Sequence, residues 1–355
     1  MNKRFSYNKG EWSEFYAFIK LLAERKIYAA DENVNRVEDV YFPIIKIIRK
    51  EDDDFNEYLT GETVKIFVND NLVEEILDED LDEKSIFLFE KIFSGDAGKK
   101  GAFEIPDIES FMNKMRIKKI KALVKDKEDI TMQVHDVYTG FSPTVGFSVK
   151  SDIGSPPTLL NAGKNTRIRY KITGLTDDDA EEINSIDKTI AREYMKVRIG
   201  KLFERSSEIL FDGFSDRTFE DNLILIDSFL PEIYAQMILL HYRFLDDGLS
   251  DCETITEILE AINPLNYHRA DIYKYKFKKM ITAAALGMTP GKPWDGIDSA
   301  TGGYIIIKKT ATYYATIFTT AIILSSICLK IRNLTDRLLQ DTITDIYTLT
   351  MEINI

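Results

Sequence analysis

Two stretches of two-residue periodicity, ITMQVHDVYTG at 130–140 and VGFSVKSDIG at 145–154, flank the tetrapeptide FSPT. Alternation on both sides of a short Ser-Pro-Thr link predicts a β-hairpin. The elements around it are legible by period. Residues 11–25 (EWSEFYAFIKLLAER) set Trp12, Phe15, Ile19, Leu22 and Ala23 on one face of an amphipathic helix. Residues 36–50 end in the apolar run Tyr41–Ile48 and suit a strand. The acidic stretches EDDD (51–54) and EEILDEDLDE (74–83) are expected as solvated helix and loop. Residues 107–119 look helical, and RIRYKITG (167–174) reads as a third strand. Residues 177–262 follow a helical pattern and 268–282 form a basic helix; MTPGKPWDGIDSATGG then leads into a strand, YIIIKK, at 304–309. Helix, mixed sheet, helices, strand: that order predicts an α/β (mixed α+β) fold.

Composition narrows the class. With 44% hydrophobic and 30% charged residues, 18 Gly and 9 Pro, the chain is neither disordered nor collagenous. Its 355 residues allow one large domain or two. The balance of 46 Lys and Arg against 59 Asp and Glu, net −13, excludes a uniformly basic coat but leaves room for a local basic cleft. Two cysteines, Cys252 and Cys328, exclude a disulfide framework and paired-Cys zinc motifs. Three histidines, His135, His241 and His268, argue against a His-rich metal cage and are expected to be structural. The first residues, MNKRFSYNKGEWSE, contain no apolar h-region, so a cytoplasmic protein without a secretory signal is expected.

Chemistry gathers at the hairpin. Ser148 and Lys150 are two residues apart and point to the same face of the sheet. Asp136, on the first strand, would converge with them if it paired across on that face. A carboxylate and an ammonium at one point suit phosphodiester hydrolysis, in which carboxylates hold Mg²⁺ and a lysine positions or deprotonates the attacking water. A surface hairpin whose Asp and Lys merely solvate one face has the same spacing. From Lys114 to Lys171 there are 12 Lys and Arg, among them Lys118 and Lys119, against 5 Asp and Glu. That local surplus matches the electrostatic footprint of a nucleic-acid backbone. A solvated charge run explains 114–127 equally well, but less easily the continued bias through GSPPTLLNAGKNTRIRYK. A second basic element, HRADIYKYKFKK (268–279), interleaves Lys276 and its neighbours with tyrosines; it fits phosphate contacts and a solvent-facing helix equally. Glu11 and Glu14 lie one turn apart near the start of the first helix, where acidic residues complement the macrodipole and Ser13 is a candidate cap.

The strings GEWSEFYAFIKLLAERKIYAADEN, YFPIIKIIR, HDVYTGFSPTVGFSVKSDIGSPPTLLNAGKNTRIRYKI and MTPGKPWDGIDSATGGYIIIKK resemble the HpaII-type restriction endonucleases, in order from about residue 9 to about 309. The resemblance implies a PD-(D/E)XK nuclease core and Mg²⁺-dependent cleavage of double-stranded DNA at CCGG, leaving 5′-phosphate ends. It also implies a cognate methyltransferase acting on the same site, with no contact expected. Carried over by residue, Asp136 matches the motif Asp and Lys150 the motif Lys. Ser148 stands where the motif is usually acidic and is expected to donate a hydrogen bond. Glu14 is the first choice for the missing carboxylate and would hold Mg²⁺ with Asp136; Glu11 is the second. Asn161, Lys164, Asn165 and Arg167 follow the motif strand and approach the DNA, with Lys118, Lys119 and Lys276 as further contacts. One centre per chain means that a double-strand cut needs two chains, as in a homodimer, or two visits. The competing classes are a family member that binds CCGG without cutting and an interaction protein unrelated to DNA.

The expected organisation is a nuclease core at 1–176, a helical region with a return strand at 177–309 completing a DNA clamp, and an atypical tail at 310–355. The tail opens with 20 uncharged residues, TATYYATIFTTAIILSSICL, long enough to span a membrane. Five Thr and two Ser argue against a span. Read one base out of frame with suitable codons, KKTATYYATIFTTA becomes KKDGDILCYHIYNR, so the tail is read as frameshifted translation and carries no functional assignment.

Overall fold

The computed structural model describes residues 6–31, 35–94, 101–120, 128–151, 153, 159–160, 163–186, 191–205, 207–245, 247–249, 251–298, 300–308 and the backbone of 313–317. Two compact units account for these. The first is drawn from Met1–Pro157 and Ser299–Thr320, the second from Thr158–Asp298. The expected boundary after 176 therefore falls near 157, and the return strand belongs with the first unit rather than with the helices.

The first unit begins with β1 (Ser6–Tyr7), α1 (Lys9–Glu24), β2 (Lys26–Ala30), β3 (Arg36–Glu51), β4 (Asp54–Leu59), β5 (Val64–Val68), β6 (Asn71–Ile76) and α2 (Asp78–Ser94). It continues with β7 (Phe103–Glu104), α3 (Pro106–Lys114), β8 (Ile130–Val134) and β9 (Thr144–Ser151). Helix α1 forms as expected, but its cap is Asn8. The Asn8 side chain accepts from the Glu11 amide and the Glu11 carboxylate accepts from the Asn8 amide, a complete capping box. Ser13 lies inside the helix and donates to the Lys9 carbonyl at 2.8 Å, so it is not the cap. The acidic segment after β3 corrects the expectation of helix and loop. Residues 54–76 form a three-stranded meander whose Tyr58, Val64, Ile66 and Ile76 are fully buried, and only α2 at 78–94 is helical.

The second unit holds β10 (Ile168–Thr173), α4 (Asp177–Asn184), α5 (Ala191–Glu204), β11 (Glu208–Phe214), α6 (Arg217–Ile226), α7 (Leu230–Arg243), α8 (Cys252–Ile262) and α9 (Ile272–Leu286). Strand β10 does not extend the hairpin sheet; it pairs antiparallel with β11, which interrupts the expected helical run. The chain then returns to the first unit with β12 (Gly303–Ile307) and β13 (Tyr313–Ile317).

The central sheet runs β13-β12-β9-β8-β3-β4-β5-β6, with β2 also paired to β3. Among the described residues only the β9–β12 pairing, Phe147 opposite Gly303 through Ser151 opposite Ile307, is parallel. This is the mixed sheet flanked by helices that the sequence predicts. Alternation along β9 and β12 sends Phe147, Val149, Ile305 and Ile307 into the core shared with Trp12, Phe15 and Phe18 of α1. Ser148 and Lys150 therefore face the other way. Beyond β13, the tail and Cys328 lie outside the described residues. Among the described residues no single helix is long and apolar enough to cross a membrane.

The β9–β12 junction is tight. The Gly302 amide donates to the Gly146 carbonyl at 2.7 Å, and a Cβ on Gly302 would lie 2.6 Å from the Phe147 ring. Gly302→Ala is expected to destabilise the first unit by about 1–3 kcal/mol through overpacking. Urea unfolding followed by Trp12 fluorescence in a Trp294→Phe background checks this.

Candidate active site

Pairing in the β8–β9 hairpin runs from Gln133 opposite Thr144 to Ile130 opposite Phe147. One step outward, the Asp129 amide donates to the Phe147 carbonyl at 2.8 Å, and Asp129 lies across from Ser148. Its Oδ2 accepts from the Ser148 hydroxyl at 3.1 Å and from the Val149 amide at 2.7 Å. Ser148 is 7% exposed and Asp129 half-buried. Lys150, two residues on along the same face, places its ammonium 5.5 Å from the centroid of the Tyr304 ring. Tyr304 stands opposite Ser148 on β12. An acceptor, a hydroxyl, a cation and an aromatic wall thus share one face at the open end of the hairpin.

Asp136 is at the other end. Its amide donates to Phe141, its carbonyl accepts from Gly140, and its carboxylate accepts from the amides of Tyr138 and Thr139 and from the Thr139 hydroxyl. Those hydrogen bonds, the Thr139 hydroxyl foremost, hold the Asp136 carboxyl below the usual range. The strand from Thr144 to Lys150 alone spans about 20 Å, so Asp136 and Lys150 do not converge. Asp136 is a turn-closing residue, because in an antiparallel hairpin the partner of Lys150 is found by counting outward from the turn, not toward it. Asp129, which the sequence reading did not single out, is the acidic residue hydrogen-bonded to Ser148. The usable signal was its position just before the alternating run, as far from the turn as Ser148.

Other candidates resolve one by one. Ser148 donates a hydrogen bond, as expected, and its acceptor is Asp129. Glu11 forms the capping box of α1, its carboxylate accepting from the Asn8 amide. Glu14 is half-buried on α1, the helix that shares its core with the Phe147 and Val149 side of β9; the carboxylate brought to Ser148 is Asp129. Lys118 pairs with Asp54 at 2.8 Å and Lys119 with Asp52 at 2.6 Å, so both ammonium groups already carry a carboxylate partner. Lys276 pairs with Asp227 and lies 5.6 Å from the Phe229 and Tyr267 rings, with a side chain only 14% exposed. The Lys276 side chain is thus largely buried, whereas the Lys118 and Lys119 pairs lie on the surface. His135 Nδ1 lies 3.0 Å from the Ser142 hydroxyl, His241 is buried and His268 exposed. Among the described residues no three His, Cys, Asp or Glu side chains cluster as a metal cage.

Asn161 lies outside the described residues. In the second unit Lys164 is exposed on a single 3₁₀ turn, Lys164–Thr166, and the neighbouring Asn165 hydrogen-bonds Asp216, the N-cap of α6. The Thr218 amide foremost, with Asn165 and the Lys164 charge assisting, lowers the Asp216 pKa. Arg167 is half-buried, and its carbonyl accepts from the Ser215 amide. Beside Asn165 runs the loop 289–298, fixed by Asn222. This 3% exposed side chain donates to the carbonyls of Thr289 and Lys292 and accepts from the Trp294 amide.

The mixed sheet and the hairpin site define a restriction-endonuclease-like fold. A model of the HpaII restriction endonuclease family matches residues 8–315. The Type II restriction enzyme HpaII of Haemophilus parainfluenzae is 37% identical over 316 residues, covering 87% of this chain and 84% of that protein. The chain belongs to the HpaII restriction endonuclease family and is a Type II site-specific deoxyribonuclease, an enzyme class whose substrate is double-stranded DNA. No solved structure gives a significant match.

Asn222→Leu removes all three anchors of loop 289–298 and leaves buried backbone groups unpaired, at about 1–3 kcal/mol for each that stays dry. The expected result is red-shifted Trp294 emission and new proteolytic cuts within 289–298, with the Trp12 signal unchanged.

Proposed function

We propose that this chain hydrolyses phosphodiester bonds of double-stranded DNA at CCGG, with Mg²⁺ and 5′-phosphate products, using the open end of the β8–β9 hairpin. The observation that carries this reading is the Asp129 carboxylate gripped by the Ser148 hydroxyl and the Val149 amide, one strand position before Lys150. Asp129 takes the motif role that the sequence reading gave to Asp136. The donor set suits Mg²⁺, which takes one or two protein carboxylates and completes its shell with water and substrate phosphate rather than with a full protein cage. When bound, the ion supplies Lewis acidity and a more acidic water.

The chain's own residues divide the remaining work. Ser148 and the Val149 amide fix the orientation of the Asp129 carboxylate at the hairpin mouth. Lys150 orients the attacking water, takes part in its deprotonation and offsets charge that builds on the phosphate. The Tyr304 ring restricts the ammonium to that face. Lys164 and loop 289–298 of the second unit, with Asn165 and Arg167 behind Lys164, are the elements proposed to meet DNA. One such site per chain favours a homodimer for a double-strand cut. The matching methyltransferase would act on the same sequence without contacting this protein, and both would work in the cytoplasm.

Supercoiled plasmid with one CCGG is expected to become linear with Mg²⁺ and to stay intact with EDTA or without the site. Asp129→Asn and Lys150→Ala are each expected to lower the rate by about 10²–10³-fold or more, the scale of losing a group that stabilises transition-state charge. Asp136→Asn is expected to cut within a few-fold of the parent. Loss of cutting in Asp136→Asn together with activity in Asp129→Asn contradicts the reading.

A further inference from the structure

Ser148 leaves the site one carboxylate short, because a neutral hydroxyl stands where the motif is usually acidic. We propose that Glu128 supplies the second carboxylate to the divalent cation; this rests on the reading that Asp129 and Lys150 form the catalytic site.

The inference starts from Gly146. It lies within β9, opposite Thr131, two residues before Ser148 and four before Lys150, and so on their face of the strand. Its backbone is not in the left-handed region, so conformation does not call for glycine there. Space does. A Cβ at 146 would lie 1.5 Å from Glu128 Oε2, 2.6 Å from its Cδ and 2.9 Å from its Cβ. The Glu128 side chain therefore runs across the bare face of Gly146, filling the volume that any other residue would claim. A glycine inside a strand weakens it and often marks a close approach; here the approaching group is a carboxylate.

Glu128 is also held there. The Thr131 hydroxyl donates to its Oε1 at 3.1 Å, and the residue is half-buried although it lies two residues before β8 begins. Drawing a carboxylate out of water costs free energy that a solvent-facing rotamer would avoid. Along one face, then, come the Glu128 carboxylate over Gly146, Asp129 on Ser148, and Lys150. Two carboxylates from adjacent residues, on one side of an ammonium, match the one or two that Mg²⁺ takes beside phosphate oxygens and water. Glu14, the sequence-based choice, is carried by α1, whose core contacts lie on the opposite side of β9.

Glu128→Gln keeps the shape, the Thr131 hydrogen bond and the contact with Gly146, and removes only the charge. Gly146→Ala keeps the charge and displaces the side chain. Free Mn²⁺ would be followed by electron paramagnetic resonance in solutions of the full chain with a CCGG duplex, and the Mg²⁺ dependence of plasmid cutting would be measured in parallel. Both variants are expected to weaken metal binding about tenfold or more, given that even groups behind a ligand are worth about 10–100-fold. The double variant is expected to add nothing further, and Glu128→Gln to keep the parent circular dichroism and melting temperature. Parent-like Mn²⁺ binding in Glu128→Gln while Asp129→Asn has lost it overturns the assignment and leaves the site reading intact. The same loss in Glu14→Gln, with Glu128→Gln unaffected, gives the role to Glu14. Parent-like metal binding and cutting in Asp129→Asn would instead overturn the site reading itself. If Gly146→Ala fails to fold, Glu128→Gln alone decides.

Discussion

The register between β8 and β9 is the constraint on which the first unit depends. Ile130 opposite Phe147 places Asp129 across from Ser148 and Asp136 at the turn. It also decides the two faces: Phe147 and Val149 enter the core with α1, while Ser148 and Lys150 stay outside it. A slip of one residue would exchange the faces and bury the lysine. The neighbours enforce the register from both sides. Strand β12 locks Ser148 against Tyr304, and β3 pairs Ile47 with Met132, which is fully buried. Chemistry and packing are thus specified by the same hydrogen-bond ladder.

One cluster of charges holds the chain after α3 in place. Glu51, 3% exposed, accepts from Arg49 and from the Lys118 amide, and Arg49 donates in turn to the carbonyls of Lys119 and Ile120. This cluster ties the chain after α3 to the end of β3. Because Ile48 pairs with Thr131, that end of β3 lies at the same end of the sheet as Asp129. The Lys118 and Lys119 side chains then reach Asp54 and Asp52 at the next turn. Exposed pairs of this kind contribute only about 0–1 kcal/mol each, yet they occupy the cations. A count of positive residues along a sequence overstates what is open to a phosphate backbone.

The legible parts of the fold are those in which one physical signal dominates. The stripe from Trp12 to Leu22 marks α1, the alternation around FSPT marks the hairpin, and the apolar run YIII marks β12. The meander at 54–76 was hidden because its solvent face is crowded with Asp, Glu and Asn, while Tyr58, Val64, Ile66 and Ile76 on the other face are too sparse to announce three strands. Strand β10 was legible as a strand but not in its pairing, since its partner β11 lies within a run of helices. Of the proposed site, Lys150 and Ser148 were legible from the motif that contains them. Asp129 did not stand out, because several acidic residues precede the turn and only the pairing register distinguishes a residue at the hairpin mouth from one at its tip.

The most direct measurement is a crystal structure of the full chain with a CCGG duplex and Mn²⁺, with anomalous scattering used to locate the metal. The account predicts a peak within coordination distance of an Asp129 carboxylate oxygen, on the Ser148 and Lys150 face and beside a DNA phosphate. A metal bound at Asp136, or a scissile phosphate seated at the turn end of the hairpin, would contradict it.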